Sequence, residues 1–318
     1  MATPNPDFLS NVWKEGIFNN RVAFVTGGAG DICGAQTKAL VYLGADACII
    51  GRNVEKTERA AKEIAKVRKG AKVMGIGAVD VRNFDDLKRA ADRCAAELGA
   101  IDFVIAGAAG NFVAPISGLS PNGFKSVIGI DTIGTFNTIK ATMPHLTASA
   151  GRNPNPSPTC QTGGRILYVS ATFHYTGLPF QAHVSAAKAG VDSLMASVAL
   201  EYGPLGVTSN CIAPGAIEGT EGMQRLSSAA VGARERSEGI PSGRWGTMRD
   251  IADATVFLFS EAGNYVNGHV LVVDGAAWRR QSGSMGVGLD PGAKYPDFIL
   301  SGEVSRHVKS GKKEKAKL

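Results

Sequence analysis

From about residue 21 onward, short apolar runs alternate with longer stretches in which apolar side chains recur at three- and four-residue spacing, and this alternation restricts the fold more than any other feature. The runs at 21–26, 45–50, 71–77, 101–106, 165–170, 207–212 and 269–273 read as seven strands, and stretches such as 54–68 and 84–98 read as helices between them. Strands separated by helices pair in parallel through crossovers, and right-handed crossovers put helices on both faces of the sheet. The expected fold is therefore α/β, a doubly wound Rossmann fold with a seven-stranded parallel sheet, formed as one domain over residues 1–280. Ligands of such sheets sit beyond the carboxyl ends of the strands, so the residues just after each run carry the functional expectation. Residues 149–164 contain three prolines and no periodicity, and read as a surface loop inserted before the fifth strand. Residues 281–318 read as a C-terminal extension with a basic tail.

The net charge of +6 over 318 residues invites a nucleic-acid reading until the charge is located. Residues 306–318 hold six cations and one anion, which leaves the other 305 residues at only +1. The body is nearly neutral, so neither nucleic acid nor a membrane surface is an expected partner. The five cysteines, at 33, 48, 94, 160 and 211, are odd in number and lack CxxC spacing, which argues against a disulfide framework or a metal site and for a reducing compartment. No signal-peptide pattern opens the chain and no apolar run approaches a membrane span, so a soluble protein is expected.

The first strand runs into TGGAGDICG (26–34) and then a helical pattern. Gly27, Gly28 and Gly30 allow a tight turn and expose amide groups at a helix start, the place where the pyrophosphate of a dinucleotide binds. The second strand ends in GRN (51–53), where NAD-preferring proteins carry an acid for the ribose 2′-hydroxyl. Arg52 stands there instead, and a cation favours the 2′-phosphate of NADP(H). Asp80, after the third strand, is placed either to accept from adenine or to cap a helix.

Taken together, the TGxxxG pattern, AGAAG (106–110), SAAK (185–188) and PGAI (214–217) resemble the short-chain dehydrogenase/reductase family over about residues 20–278. That family uses an Asn-Ser-Tyr-Lys set, and here Ser170 and Lys188 fit while the tyrosine position is Val184 and the asparagine position is Asp131. Asp31 and Cys33 also stand where the phosphate loop usually has glycine. Ordinary members protonate a carbonyl oxygen with the tyrosine, so this chain either binds cofactor without catalysis or runs a reaction that needs no phenol there. AAGNF (108–112), LSPNGFK (119–125), IDTIGTFN (130–137) and GTEGMQRL (219–226) are similar to the peroxisomal 2,4-dienoyl-CoA reductases, and VSATFHY (169–175) is most like the fungal members.

The resemblance implies reduction of a 2,4-dienoyl-CoA by NADPH to a 3-enoyl-CoA through a dienolate protonated at the α carbon, which calls for an oxyanion stabiliser and a proton donor at carbon. Asp131 is the expected acid, directly or through a water near Lys188, with Ser170 and Asp274 as further catalytic candidates and His183 and Tyr175 as reserve donors. Cofactor contacts are expected from Gly27, Gly28, Gly30, Ile32, Arg52, Asp80, Val81, Ala108, Lys188, Pro214, Gly215 and Ile217. By motif position, Arg82 and Arg225 resemble arginines that contact CoA, with Arg52 a candidate to be shared between cofactor and substrate, while Phe112, Ser120, Pro121 and Asn122 resemble residues along the thioester and pantetheine path. Residues 218–245 are expected to form a substrate lid, and the chain a homo-oligomer. The final Ala316, Lys317 and Leu318 vary the Ser-Lys-Leu address read by the peroxisomal import receptor. The rivals are a 3-oxoacyl-CoA reductase using His183 or Tyr175, and a non-catalytic NADP-binding protein.

Overall fold

The computed structural model describes residues 7–153, 163–220 and 240–279. Seven strands, β1 (Val22–Thr26), β2 (Asp46–Ile50), β3 (Val73–Ile76), β4 (Phe103–Ala106), β5 (Arg165–Val169), β6 (Thr208–Pro214) and β7 (Val270–Val273), form one sheet in the order β3-β2-β1-β4-β5-β6-β7. Every pair is parallel. Thr26 lies beside Ala106 and Ala106 beside Tyr168, so the strands end level and their following loops meet along one edge. The direction of winding reverses between β1 and β4, which opens a crevice at that point.

The strands read as continuous apolar runs because both faces are covered. On one face, Leu87, Ala91 and Cys94 of α3 (Phe84–Leu98), Ile139 and Leu146 of the long helix α5 (Gly134–Arg152) and Val191 and Met195 of α7 (Ala182–Tyr202) close over Phe24, Val104 and Ile166. On the other, Ala39 and Leu40 of α1 (Asp31–Tyr42), Ile64 of α2 (Val54–Ala65) and Ile251, Val256 and Phe259 of α8 (Met248–Phe259) cover Val25, Ile49 and Ile105. Phe103 stacks on Phe259 with ring centroids 4.8 Å apart. Between β4 and α5 stands α4 (Pro121–Ile128), and a short helix α6 (Phe173–Thr176) follows β5.

The loop expected from residue 149 begins later, because α5 continues to Arg152. Ser149 is fully buried and its hydroxyl donates to Asp102, which also accepts from the Val22 amide, so an interior polar anchor holds the last turn of a helix that local composition disfavours. Residues 154–162 of that expected loop, the greater part of the expected lid and the C-terminal extension lie outside the described residues. No described helix is long and apolar enough to cross a membrane.

Candidate active site

The crevice at the switch point has a volume of about 910 Å³ and is lined by Ile50 at the end of β2, Val169 at the end of β5 and the segments that follow β1, β2, β3 and β4. Its floor is the glycine turn. Gly27 has φ +69° and passes so close to Ala108 that a Cβ would lie 3.1 Å from that residue's backbone. At Gly28 a Cβ would meet Ile49 at 2.5 Å, which is why the turn can lie flat against β2. Gly30 caps α1 with no side chain on the freed amides, so the helix start points uncapped N–H groups at the crevice. Gly27, Gly30, Ile32, Arg52, Asp80, Val81, Ala108 and Phe112 all line it, and so does Lys56, a second cation near Arg52 that sequence reasoning passed over. Asn53 caps α2 by accepting from the Lys56 amide at 2.8 Å, and this turns the chain so that Arg52 lies at the rim.

Both departures in the phosphate loop have structural places. Asp31 is the exposed first residue of α1, and Cys33 is buried with its sulfur where a Cβ on Gly107 would stand, 2.2 Å away. Burial pushes the Cys33 thiol up to about 12, partly offset by the positive Lys188.

The expected acid, Asp131, is buried and is not among the residues that line the crevice. Helices α4 and α5 are joined by a π-turn, Gly129–Ile133, whose wider hydrogen-bonded loop interrupts the helical spacing and leaves Asp131 inside the protein. The DTIG motif explains itself in this setting: the Thr132 hydroxyl donates to the Ala187 carbonyl of α7 at 3.0 Å, and a Cβ on Gly134 would stand 2.6 Å from Val81. Asp131 Oδ1 accepts from the Gly110 amide at 2.7 Å, and Oδ2 lies 3.0 Å from Lys188 Nζ. Nζ also donates to the Val169 carbonyl at 2.9 Å. An ammonium carries three protons, of which Val169 takes one; the contact with Asp131 Oδ2 is an ion pair without hydrogen-bond geometry. Val184, one turn before Lys188, is buried against Val127 and Ala187, leaving no titratable group at that position.

The reserve donors are otherwise occupied. His183 is fully buried and its Nε2 lies 3.0 Å from the Phe112 carbonyl, which also accepts from Gln181 Nε2 at 3.0 Å. The Tyr175 hydroxyl donates to Asp192, and burial together with that bond pushes the phenol above its ordinary range. Ser170 also donates to Asp192, at 2.5 Å, in preference to the crevice. Asp192 went unnoticed in the sequence because nothing local marks it; only folding brings its partners together.

The other expected residues are bonded to neither Asp131 nor Lys188. Asp274 accepts from the Ala276 amide at 2.9 Å and the Trp278 amide at 2.7 Å, so both oxygens hold a turn. Asp80 and Arg82 bind each other, with Nη2 to Oδ2 at 2.5 Å, which holds the Asp80 carboxyl below its ordinary range. Ser120 caps α4 by accepting from Gly123, with Pro121 and Asn122 exposed in its first turn. Pro214 ends β6, Gly215 packs on Asp274 and Ile217 bridges to Gly246 with its side chain in the core. Arg225 lies outside the described residues.

Comparison with known proteins decides the lineage. The family model described as Enoyl-(Acyl carrier protein) reductase matches residues 28–276. A peroxisomal 2,4-dienoyl-CoA reductase of Saccharomyces cerevisiae is 52% identical over 84% of this chain and 87% of its own. The chain belongs to the short-chain dehydrogenase/reductase family. A second relative of this dehydrogenase/reductase, the peroxisomal 2,4-dienoyl-CoA reductase of Danio rerio, is 38% identical over 85% of each chain. Among solved structures, a short-chain dehydrogenase from Bacillus anthracis superposes with a TM-score of 0.70 at 31% identity, covering 82% of this chain and 97% of the other. A 3-ketoacyl-(acyl-carrier-protein) reductase from Brucella melitensis, complexed with NADH, shares the fold with a TM-score of 0.71 at 24% identity, covering 82% and 99%.

Proposed function

We propose that this oxidoreductase reduces 2,4-dienoyl-CoA to 3-enoyl-CoA with NADPH in the peroxisome, in the oxidation of unsaturated fatty acids. The observation that carries the reading is the Asp131–Lys188 pair, buried at the reacting end beside an apolar Val184. A site without a phenol is poorly equipped to protonate an alkoxide, whereas a conjugated thioester needs only charge stabilisation at its oxygen and a proton at carbon.

The crevice fits a dinucleotide: a glycine turn that a Cβ would fill, uncapped amides at α1 for a pyrophosphate, and Arg52 with Lys56 for a 2′-phosphate. When bound, the cofactor supplies hydride, which adds at C5 of the dienoyl group. Lys188 binds the nicotinamide ribose and adds positive charge near the dienolate oxygen, and the Asp131–Lys188 pair holds the proton that ends on the α carbon. The Gly110 amide keeps Asp131 turned inward. Arg82 and Arg225 serve the CoA phosphates, with Phe112 and Ser120 to Asn122 along the pantetheine path. Arg82 reaches a phosphate by exchanging Asp80 for it. The carbonyl-reductase alternative is disfavoured because the Tyr175 hydroxyl is given to Asp192 and His183 is fully buried with its Nε2 on the Phe112 carbonyl. Ala316, Lys317 and Leu318 form the import address, and the working form is a homo-oligomer.

Purified protein with 2,4-hexadienoyl-CoA should consume NADPH faster than NADH and yield a product with its double bond at C3. Cofactor binding without turnover refutes the reading, and faster turnover of 3-oxoacyl-CoA transfers it to carbonyl reduction.

A further inference from the structure

Lys188 and Asp192 lie one turn apart on α7, and Val169 and Ser170 are consecutive at the end of β5. Two hydrogen bonds join the elements in parallel: Lys188 Nζ to the Val169 carbonyl at 2.9 Å, and the Ser170 hydroxyl to Asp192 Oδ1 at 2.5 Å. The second is the better anchored. The Asp192 side chain is only 12% exposed, and it also accepts from His174 Nε2 at 2.8 Å, from the Tyr175 hydroxyl and from the Cys211 thiol at 3.4 Å. Burial pushes its carboxyl up, and the bonds from His174, Ser170 and Tyr175 outweigh that and hold it below the ordinary carboxylate range. Four side-chain donors from β5, α6 and β6 thus converge on one carboxylate.

The anchoring extends outward. The Tyr175 ring packs 3.9 Å from that of His174 and 5.8 Å from that of Trp278, whose amide is held by Asp274. The segment 170–176 is therefore fastened to α7 from below and to the turn after β7 from the side. Among the described residues no hydrogen bond or ion pair joins these groups to the Asp131–Lys188 pair, yet they fix the two elements that set where Lys188 ends.

We propose that Asp192 is a positioning residue: by taking the Ser170 hydroxyl it locks the end of β5 to α7 and so holds Lys188 Nζ where it meets both Val169 and Asp131. It rests on the reading of Lys188 as the group that serves the nicotinamide ribose and the reaction. A misplacement of about 1 Å at such a group costs on the order of 100-fold in rate, and the lock restrains a displacement of that size.

The test uses the full chain with Asp192→Asn, Ser170→Ala, Ser170→Thr and the Asp192→Asn/Ser170→Ala double variant. Each is measured for thermal midpoint, for kcat and KM with 2,4-hexadienoyl-CoA, and for NADPH affinity by cofactor fluorescence. Asp192→Asn and Ser170→Ala should each lower kcat roughly 10- to 100-fold and weaken NADPH several-fold, with the KM for the acyl-CoA little changed. Ser170→Thr, which keeps the hydroxyl, should recover most of the kcat lost in Ser170→Ala. In the double variant the losses should coincide and not multiply, since both singles break one bond. A lower midpoint with unchanged kcat and NADPH affinity in the folded fraction overturns the proposal, as do multiplicative losses. If Asp192→Asn fails to fold, the Ala and Thr variants of Ser170 decide alone. If wild type turns over no dienoyl-CoA, the functional reading fails, while weaker NADPH binding in Ser170→Ala rescued by Ser170→Thr still upholds the lock.

Discussion

Replacing Asp131 with asparagine separates the charge of the reacting pair from its shape. In Asp131→Asn the side-chain oxygen can still accept from the Gly110 amide, but the group 3.0 Å from Lys188 Nζ becomes an NH2, so a donor faces an ammonium. The side chains of the pair are 9% and 0% exposed, which leaves Lys188 almost dry without its counter-charge. Removing one partner of a buried ion pair costs about 3–5 kcal/mol. The low end applies because Lys188 keeps the Val169 carbonyl, and about 3 kcal/mol lowers the thermal midpoint of a domain of roughly 280 residues by about 5 °C. Loss of a general acid lowers kcat by about 100- to 10,000-fold. NADPH should still bind at its adenosine end, since Arg52 and the glycine turn are untouched. Steady-state NADPH consumption with 2,4-hexadienoyl-CoA, together with thermal unfolding, tests both halves. Adding Lys188→Met should restore part of the lost stability, because a lone buried charge is worse than none, and should restore no activity. A kcat within a few-fold of wild type in Asp131→Asn, or a double variant less stable than either single, refutes the argument.

Arg52→Asp should lower the preference for NADPH over NADH by at least roughly tenfold, the worth of one charge-assisted hydrogen bond, read as the ratio of kcat/KM for the two cofactors; an unchanged ratio would assign the 2′-phosphate elsewhere. Val184→Tyr forces a phenol into the buried contact with Val127 and Ala187 and should cost about 1–3 kcal/mol in thermal unfolding, with dienoyl-CoA still the preferred substrate. Thr247 and Asp250 form a capping box on α8, so Thr247→Ala should cost about 1 kcal/mol, measured by denaturant unfolding. The bond from Arg244 depresses the Asp250 carboxyl to about 2 from 3.8, so its contribution is present above that upper value and is lost as pH falls between the two. Arg244→Gln should flatten stability in that acid window.

Much of the architecture was legible because it depends on short-range pattern. All seven strands begin and end within two residues of their apolar runs, since a strand covered on both faces has to be apolar throughout. The glycine turn was legible for a related reason: Gly27 requires a positive φ and Gly28 a close approach to Ile49, and these leave a mark at single positions. The end of α5 was not legible, because Ser149 is helical through its bond to Asp102, 47 residues away in the chain.

The site divides in the same way. Sequence by itself determined the fold class, the cofactor crevice, the missing tyrosine and the identities of Asp131 and Lys188, all of them matters of residue type at a fixed place in a motif. Tertiary structure alone decided which of the candidates meet. It paired Asp131 with Lys188 through a π-turn, drew Asp80 and Arg82 to each other, gave both oxygens of Asp274 to a turn, and turned Ser170 and Tyr175 toward Asp192. The physical reason is that a polar side chain removed from water must find a partner. Which partner it finds depends on the elements packed around it, and those come from distant parts of the chain.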